Sequence, residues 1–237
     1  MIDFKEKLAV KRSRYFWHTP VYRYNLDSKT IDGKRYYFIP TKYNSAHAEE
    51  VVYPSVTTII SEKLDKKWLE AWIEFVGKDE AEKIKACAAS HGTTIHRMAE
   101  NFLLHKNWWE GEVSLNITKF NKLIPLLEDH VDHIYGQELQ LWSHWLKTAG
   151  TTDLVCKWVG ENAIVDFKTS RKHKTKEQIT GYFIQAAAYA LMVYERYRIP
   201  IQKIVIIMLV EHEDEPQVFI ENVGDWTQKV EEIFVNG

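Results

Sequence analysis

The sequence predicts a mixed α/β (α+β) fold, in which helices flank a central β-sheet. The chain has 237 residues, of which 45% are hydrophobic and 27% are charged, as is ordinary for a globular protein with a full core. Apolar residues recur with helical spacing in residues 78–106, and after residue 136 their period changes to two. The resulting order of helix, three strands, helix and strand is typical of a layered fold with a mixed sheet.

The first part of the chain predicts a β-hairpin or extended arm. "VYRYNL" (21–26) and "RYYFIP" (35–40) are apolar and β-branched or aromatic runs on either side of the turn-prone "DGK". This arm forms an N-terminal extension, residues 1–53.

Residues 54–77 predict a turn and then a helix. Ser55 or Thr57 is the candidate N-cap, because a hydroxyl there can accept a hydrogen bond from the first turn. Trp68 and Trp72 have helical spacing and are expected in the core.

Helical patterns continue in residues 78–106 and 114–136, which completes a helical part at 54–136. The core at 137–222 contains three strand-like runs, a helical run and a β-branched run: "QELQLWSHW", "TTDLVCKWV", "NAIVDFKT", "EQITGYFIQAAAYALMVYERY" and "IQKIVIIMLV". A C-terminal helix is expected at 223–237. The chain has no repeat, low-complexity tract or linker, so one domain, 1–237, is predicted.

Charge and cysteine content exclude several classes of protein. The formal net charge of -2 argues against a protein that is basic all round, so a nucleic-acid partner would need a local basic patch. Cys87 and Cys156 are too few for a disulfide framework or a four-cysteine iron–sulfur cluster, and both are expected to be buried thiols. The N-terminus lacks a signal-peptide pattern and no apolar run is long enough for a membrane span, so a cytoplasmic location is expected.

A charged pair, Asp166 and Lys168, lies on a run that otherwise resembles a buried strand. Because strand residues alternate between faces, these side chains project to one side, and Val165 and Phe167 to the other. A surface ion pair is the simplest interpretation of such a pair.

A second carboxylate is expected near this pair. If Gly160 and Glu161 form the two-residue turn before the strand, Asp153 lies opposite Lys168 and diagonal to Asp166. Two carboxylates about 7–8 Å apart on one face can share a cation and repel each other without one. A turn one residue longer would send Asp153 to the other face.

These groups together suit a hard divalent cation. The carboxylates and the backbone carbonyl of Phe167 are oxygen ligands of the kind that Mg²⁺ and Mn²⁺ bind. The ammonium of Lys168 could position a water molecule or offset charge that grows on a phosphate during phosphodiester hydrolysis.

A basic run follows the pair directly, in residues 168–176. A phosphate backbone that passed the site would meet its cations, and Thr169 and Ser170 could donate hydrogen bonds to phosphate oxygens. The run could also be a solvated loop. Its basic residues are Lys168, Arg171, Lys172, Lys174 and Lys176.

Two further patterns are candidates for binding roles, and only the first of them suggests one. Trp108 and Trp109 lie in a polar stretch and could stack on unpaired bases. "EDHVDH", with His130 and His133, lacks additional ligands at the spacing of a zinc site, so it is interpreted as an acidic helix surface.

Several spaced motifs resemble the RecB-like branch of the PD-(D/E)XK nuclease superfamily, in particular mitochondrial genome-maintenance exonucleases and related phage exonucleases. The resemblance covers roughly residues 54–210. It is carried, in order, by "PSVT" (54–57), "GTTIH" (92–96), "GTTD" (150–153), "DFK" (166–168) and "QAAAY" (185–189).

The resemblance implies a restriction-endonuclease-like core and a set of metal ligands. By analogy with the family, His96, Asp153, Asp166 and the carbonyl of Phe167 would hold Mg²⁺ or Mn²⁺, and Lys168 would be the catalytic lysine. Imidazole fits Mn²⁺ better than Mg²⁺.

Supporting positions follow from the same resemblance. Glu138 matches an acidic position before the first core strand, and Gln185 and Tyr189 match a motif that holds the site or the DNA. Glu100 shares a helical stripe with His96 and either orients it or faces solvent. A polar and aromatic stripe on the later helix could contact nucleotides or bond to the sheet, the second being preferred for its first two members: Gln178, Tyr182, Gln185 and Tyr189.

The resemblance therefore implies a metal-dependent DNA exonuclease that acts on single-stranded DNA or frayed ends in replication, repair or recombination. A phage-encoded protein in the host cytoplasm would fit it, and replication or recombination proteins are candidate partners. The open alternatives are a structure-specific endonuclease of the same fold and a non-catalytic DNA-binding or scaffold protein.

Overall fold

A six-stranded mixed sheet forms the centre of the computed structural model, which describes Ala9, residues 14–43 and 49–64, Glu74 and residues 76–236. The strand order is β1-β5-β6-β7-β8-β9. The pairs β1-β5 and β7-β8 are parallel, and the other pairs are antiparallel. The six strands are β1 (Trp17–His18), β5 (Val131–Ser143), β6 (Thr148–Trp158), β7 (Glu161–Ser170), β8 (Lys203–Val210) and β9 (Gln217–Asn222).

Helices cover both faces of this sheet, which confirms the predicted mixed α/β fold. One face is covered by α2 (Lys78–Leu103), α3 (Ser114–Asn121) and α4 (Ile124–His130), and the other by α1 (Val56–Lys63), α5 (Thr180–Tyr197) and α6 (Thr227–Phe234). Because strand residues alternate, Leu154 packs in the α2 layer and its neighbour Val155 in the α5 layer. None of the helices in the described ranges combines the length and apolar character needed to cross a bilayer.

The predicted long helix is α2. Its buried side chains Ile95, Met98 and Phe102 recur at intervals of three and four, so they form one apolar stripe against the sheet. Burying each such side chain contributes about 1.5–3 kcal/mol to stability. The side chain of Cys87 lies outside the described part, whereas Cys156 is buried in the α2 layer as expected.

The helix predicted at 54–77 begins as expected and is described only in part. The Ser55 hydroxyl accepts a hydrogen bond from the Thr58 backbone N–H (3.0 Å), so Ser55 rather than Thr57 is the N-cap of α1. The predicted core residues Trp68 and Trp72 lie outside the described residues.

The helix predicted at 114–136 is wrong in its last part. The helical region ends at His130, and β5 begins at Val131, which pairs with Trp158. Val131 and Ile134 are β-branched and buried, which favours the strand. His133 therefore lies in a strand, beside Trp17 of β1, and not on an acidic helix surface.

A small antiparallel sheet, β2 (Asp27–Ile31), β3 (Lys34–Ile39) and β4 (Val51–Pro54), packs beside β6. Asp32 and Gly33 both have positive φ (50° and 77°), as a tight two-residue hairpin turn requires. The hairpin is as predicted in its turn, but its first strand begins at Asp27 and not at residues 21–26, which form no strand. Thr148 Oγ1 donates to the Pro54 carbonyl (2.8 Å) and anchors this sheet to β6.

The turn between β6 and β7 differs from the predicted one by one residue. Val159 and Gly160, with φ of 50° and 82°, are the turn residues, and Trp158 pairs with Glu161. The pairing continues to Leu154 and Val165, so the next positions, Asp153 and Asp166, face each other across the two strands. The register thus differs by two from the predicted one, which keeps both aspartates on one face.

Candidate metal centre

Three acidic residues lie at the same level on three neighbouring strands. Glu138 of β5 lies between Gln137 and Leu139, which pair with Leu154 and Thr152 on either side of Asp153. Asp166 of β7 lies across from Asp153 on the other side. Glu138 has a positive φ of 47°, a conformation that non-glycine residues seldom adopt and that is enriched at functional sites.

The backbone of Phe167 holds the centre together where β6 and β7 separate. The backbone N–H of Phe167 donates to Asp153 Oδ2 (2.8 Å). Its carbonyl accepts a hydrogen bond from His96 Nε2 (2.7 Å). The backbone of one β7 residue therefore contacts both β6 and helix α2, and it fixes their side chains relative to each other.

The surroundings of His96 favour its doubly protonated form. Its Nε2 donates to a carbonyl, and its Nδ1 lies 3.3 Å from Asp153 Oδ1, another group that can only accept. Burial alone would lower the pKa of His96, but the hydrogen bond and the charge of Asp153 raise that pKa to about 9. Burial opposes ionisation of Asp153 as well, yet His96 and Lys168 hold the pKa of this carboxyl below its usual value. The positively charged imidazole of His96 therefore bridges Asp153 and the Phe167 carbonyl.

Asp166 and Lys168 form a buried ion pair. Lys168 Nζ lies 2.5 Å from Asp166 Oδ2, and Asp166 is only 3% exposed, so this is not a surface pair. Burial raises the pKa of Asp166 to about 6, against the opposing charge of Lys168. Burial would lower the pKa of Lys168, but Asp166 and Asp153 together raise it. The ammonium also lies 4.9 Å from the ring centre of Tyr182, a cation–π distance.

Glu138 completes a group of donors that could hold a metal ion. One ligand atom each from His96, Glu138 and Asp153 lies within 4.8 Å of the others. Burial, and then the charge of Asp153, raise the pKa of Glu138 to about 7. Asp166 does not belong to this group because its carboxylate faces Lys168, and its buried Oδ2 has no hydrogen-bond partner of normal geometry.

This donor set fits a divalent cation. Carboxylate and carbonyl oxygens with one imidazole are ligands of Mg²⁺ and, more readily, Mn²⁺. Burial and the charge of Asp153 both disfavour the ionised form of Glu138, and a divalent ion bound beside it would favour that form.

Glu100 does not orient His96, because both ring nitrogens of His96 are bonded to other groups. The charge of Glu100 does contribute to the raised pKa of Glu138, so Glu100 lies near the centre on the side of β5.

Gln185 and Tyr189 lie on α5 behind the centre. Tyr189 is buried, and its hydroxyl interacts with Gln185. Its ring packs directly on Gly150 of β6, where a Cβ atom would lie 2.6 Å from the Tyr189 hydroxyl oxygen. The tyrosine therefore supports the strand that carries Asp153.

Tyr182 is a site residue that sequence reasoning did not assign to the site. It was expected to lie half-buried against the sheet, and it is 36% exposed with its ring beside Lys168 of β7. Its position in the stripe with Gln185 and Tyr189 was the available signal, since residues three and four apart share one helix face.

The basic run is not joined to the acidic centre beyond Lys168. Thr169, Ser170 and Arg171 line a separate groove of about 710 Å³. Ser170 Oγ donates to the Lys172 carbonyl (2.6 Å). Acidic residues from the end of β8 and from β9 oppose the run: Arg171 pairs with Glu211, His173 with Glu213 and Lys176 with Glu221. The run is therefore less electropositive than its sequence indicated.

The proposed stacking role is wrong for Trp108. This side chain is 1% exposed and packs among Phe102 and Phe120 in the α2 layer. Trp109 is partly buried against the same cluster.

Comparisons with known proteins find only a distant similarity to this chain. No protein-family model and no curated protein matches the sequence. One of the solved structures it matches is that of a candidate exonuclease from Eubacterium rectale, with 16% sequence identity and a TM-score of 0.42. The match covers 62% of this chain and 63% of that protein, so the chain spans less than two thirds of its neighbour.

Proposed function

We propose that the protein is a divalent-metal-dependent deoxyribonuclease that removes nucleotides from single-stranded DNA or frayed ends. The observation that carries this proposal is that three candidate metal ligands, His96, Glu138 and Asp153, lie beside the buried Asp166–Lys168 pair, around the backbone of Phe167. Paired carboxylates with a charged amine beside them are the groups that phosphodiester hydrolysis requires.

The residues have distinct roles in this proposal. Asp153, Glu138 and His96 would hold Mg²⁺ or Mn²⁺, with Asp166 and the Phe167 carbonyl available as further oxygen donors. A bound ion would supply Lewis-acid polarisation of the scissile phosphate and would lower the pKa of the attacking water.

Lys168 would donate a hydrogen bond to a phosphate oxygen as negative charge develops there. Its raised pKa keeps it charged at neutral pH, and Asp166 and Tyr182 fix the position of its ammonium. A fixed charge in a buried site stabilises the transition state more than a mobile one in water does.

The test measures release of nucleotides from end-labelled single-stranded DNA in Mn²⁺, Mg²⁺ or EDTA. We expect Asp166→Asn and Lys168→Met to reduce the rate by at least about 10²-fold, the usual cost of removing one group that stabilises transition-state charge. Lys203→Met is a matched control, because Lys203 also pairs with a carboxylate (Glu161, 3.5 Å) but lies at the opposite end of the β7–β8 pair.

Circular single-stranded DNA separates the remaining alternatives. An exonuclease leaves circles intact and degrades linear strands, whereas an endonuclease cuts both. If the wild type and both variants bind DNA but none of them cuts it in either metal, the protein is a DNA-binding scaffold and the nuclease proposal is rejected.

A further inference from the structure

A groove of about 710 Å³ opens at the carboxyl ends of the parallel strands β7 and β8, with α2 and α3 as its opposite wall. Ligands of α/β sheets bind preferentially outside the carboxyl ends of the strands. The volume also lies within the range of about 300–1,000 Å³ typical of ligand sites. We call this feature the β7–β8 groove.

The groove has an apolar floor and a charged rim. The described lining includes no Phe, Tyr or Trp, and its only aromatic rings are the imidazoles of His91 and His212, so apolar contact rather than a large stacking platform would hold a base there. Leu115 of α3 is 59% exposed at this surface. The apolar residues of the lining are Ile84, Ile95, Leu115, Leu209 and Val210.

Glu211 lies between two cations that belong to opposite walls. Its Oε1 is 4.0 Å from Lys119 Nζ of α3, and its Oε2 is 3.8 Å from Arg171 Nε, just after β7. Both distances are at the long limit for an ion pair, and the Arg171 side chain is 69% exposed. The pairs are therefore weak, and an anion with more charge could replace the carboxylate.

The groove is a separate cavity that adjoins the candidate metal centre along α2 and β7, since Ile95, which lines it, directly precedes His96. Thr169, which lines it, directly follows Lys168 on β7. Helix α2 passes close by, since a Cβ atom on Gly92, one helical turn before His96, would lie 4.0 Å from Thr169 Oγ1.

We propose that the β7–β8 groove seats the single strand next to the cleaved bond, and that Glu211 occupies the place of one backbone phosphate between Lys119 and Arg171 in the free protein. The inference rests on the proposed nuclease function. Phosphate oxygens accept from lysine and arginine in the same geometry as a carboxylate. DNA must displace Glu211, so this residue weakens binding and favours strands that fill the groove.

The experiment measures binding of a fluorescently labelled oligothymidine to the full chain in EDTA, across a range of salt concentrations. We expect Glu211→Gln to tighten binding about three- to tenfold, because two exposed ion pairs no longer compete with the phosphate. Lys119→Ala should weaken binding and reduce the slope of log affinity against log salt by about 0.7, the value for one lost phosphate contact on a single strand.

Glu213→Gln is the matched control. It removes the same charge two residues away, but Glu213 pairs with His173 outside the groove lining. Equal effects of the two glutamine variants on DNA affinity would show that any lost negative charge strengthens binding, whatever its position, and would overturn the proposal. An unchanged salt slope in Lys119→Ala would overturn it as well.

The groove and the nuclease activity can fail separately. If the protein degrades DNA in Mn²⁺ but Glu211→Gln and Glu213→Gln bind DNA equally well, the nuclease proposal stands and the groove proposal is rejected. If only Glu211→Gln binds DNA more tightly and the protein cuts no DNA in any metal, the groove proposal stands and the nuclease proposal is rejected.

Discussion

Proton release on metal binding is a direct consequence of the state of His96. Both ring nitrogens carry a proton in the free protein, so the residue cannot coordinate a metal until one proton leaves. The pKa of about 9 means that about one molecule in a hundred has a neutral His96 at pH 7. Competition from this proton therefore weakens Mn²⁺ affinity by about 100-fold, or about 2.7 kcal/mol.

The sign of the pH dependence follows from this competition. The metal-free protein binds more protons than the metal-bound one, so Mn²⁺ affinity rises with pH. Among the three candidate ligands, only His96 is mainly protonated between about pH 7 and pH 9, and the expected slope there is about one log unit per pH unit. Below about pH 7 Glu138 is protonated too, which steepens the slope towards about two.

Isothermal titration calorimetry with Mn²⁺ in buffers of different ionisation enthalpy measures the number of protons released. We expect His96→Asn to remove one proton from that number between pH 7 and pH 9. Glu138→Gln should remove one only below pH 7. Affinity that is independent of pH in the wild type, or undiminished proton release near pH 8–9 in His96→Asn, where Glu138 is already ionised, would refute the doubly protonated imidazole.

Three further predictions concern stability. Gly150→Ala places a Cβ 2.6 Å from the Tyr189 hydroxyl and should cost about 2 kcal/mol, lowering the thermal midpoint by about 4–8 °C; an unchanged midpoint would contradict the contact. Glu112→Ala leaves Arg97 without its buried partner and should lower the free energy of unfolding, measured in urea, by about 1–3 kcal/mol. Glu112→Gln should lower it less, and equal losses in the two variants would show that the charge of Glu112 does not matter. Trp108→Ala should cost about 3–5 kcal/mol without specifically weakening DNA binding, and the reverse pattern would restore a stacking role.

Periodicity alone predicted much of the core. The alternation around Asp166 placed it on one face with Lys168, and helical spacing predicted α2 together with its buried stripe. These patterns could be predicted because β7 and α2 each pack one side against a large apolar layer. Burial therefore determines the spacing of apolar residues in their sequences.

The residues of the β6–β7 turn and the start of β5 were harder to predict from the sequence, because the local sequence in each case favoured another interpretation. The β6–β7 turn uses Val159 in a left-handed conformation (φ 50°), which β-branched residues seldom adopt, so the neighbouring Gly160–Glu161 was the better sequence candidate. The start of β5 at Val131 was hidden because "EDHVDHIY" has no clear period of two or 3.6.

Contacts between distant segments could not be predicted from pattern. Nothing near Arg171 in the chain indicates that Glu211 neutralises it, because β8 brings that glutamate back only through the parallel pairing with β7. The two partners of His96 likewise depend on how α2 crosses the sheet, and only the family resemblance suggested them.

The alternation along β7 makes the length of this strand as important as its composition. Val165 and Phe167 fill the α2 layer, while Asp166 and Lys168 lie between them on the opposite side. Inserting or deleting a single residue here would push both charges into the apolar α2 layer and turn the phenylalanine towards the α5 side of the sheet. Natural or engineered changes in length should therefore accumulate in the loops before and after β7, and this short segment should keep its spacing even where its neighbours diverge.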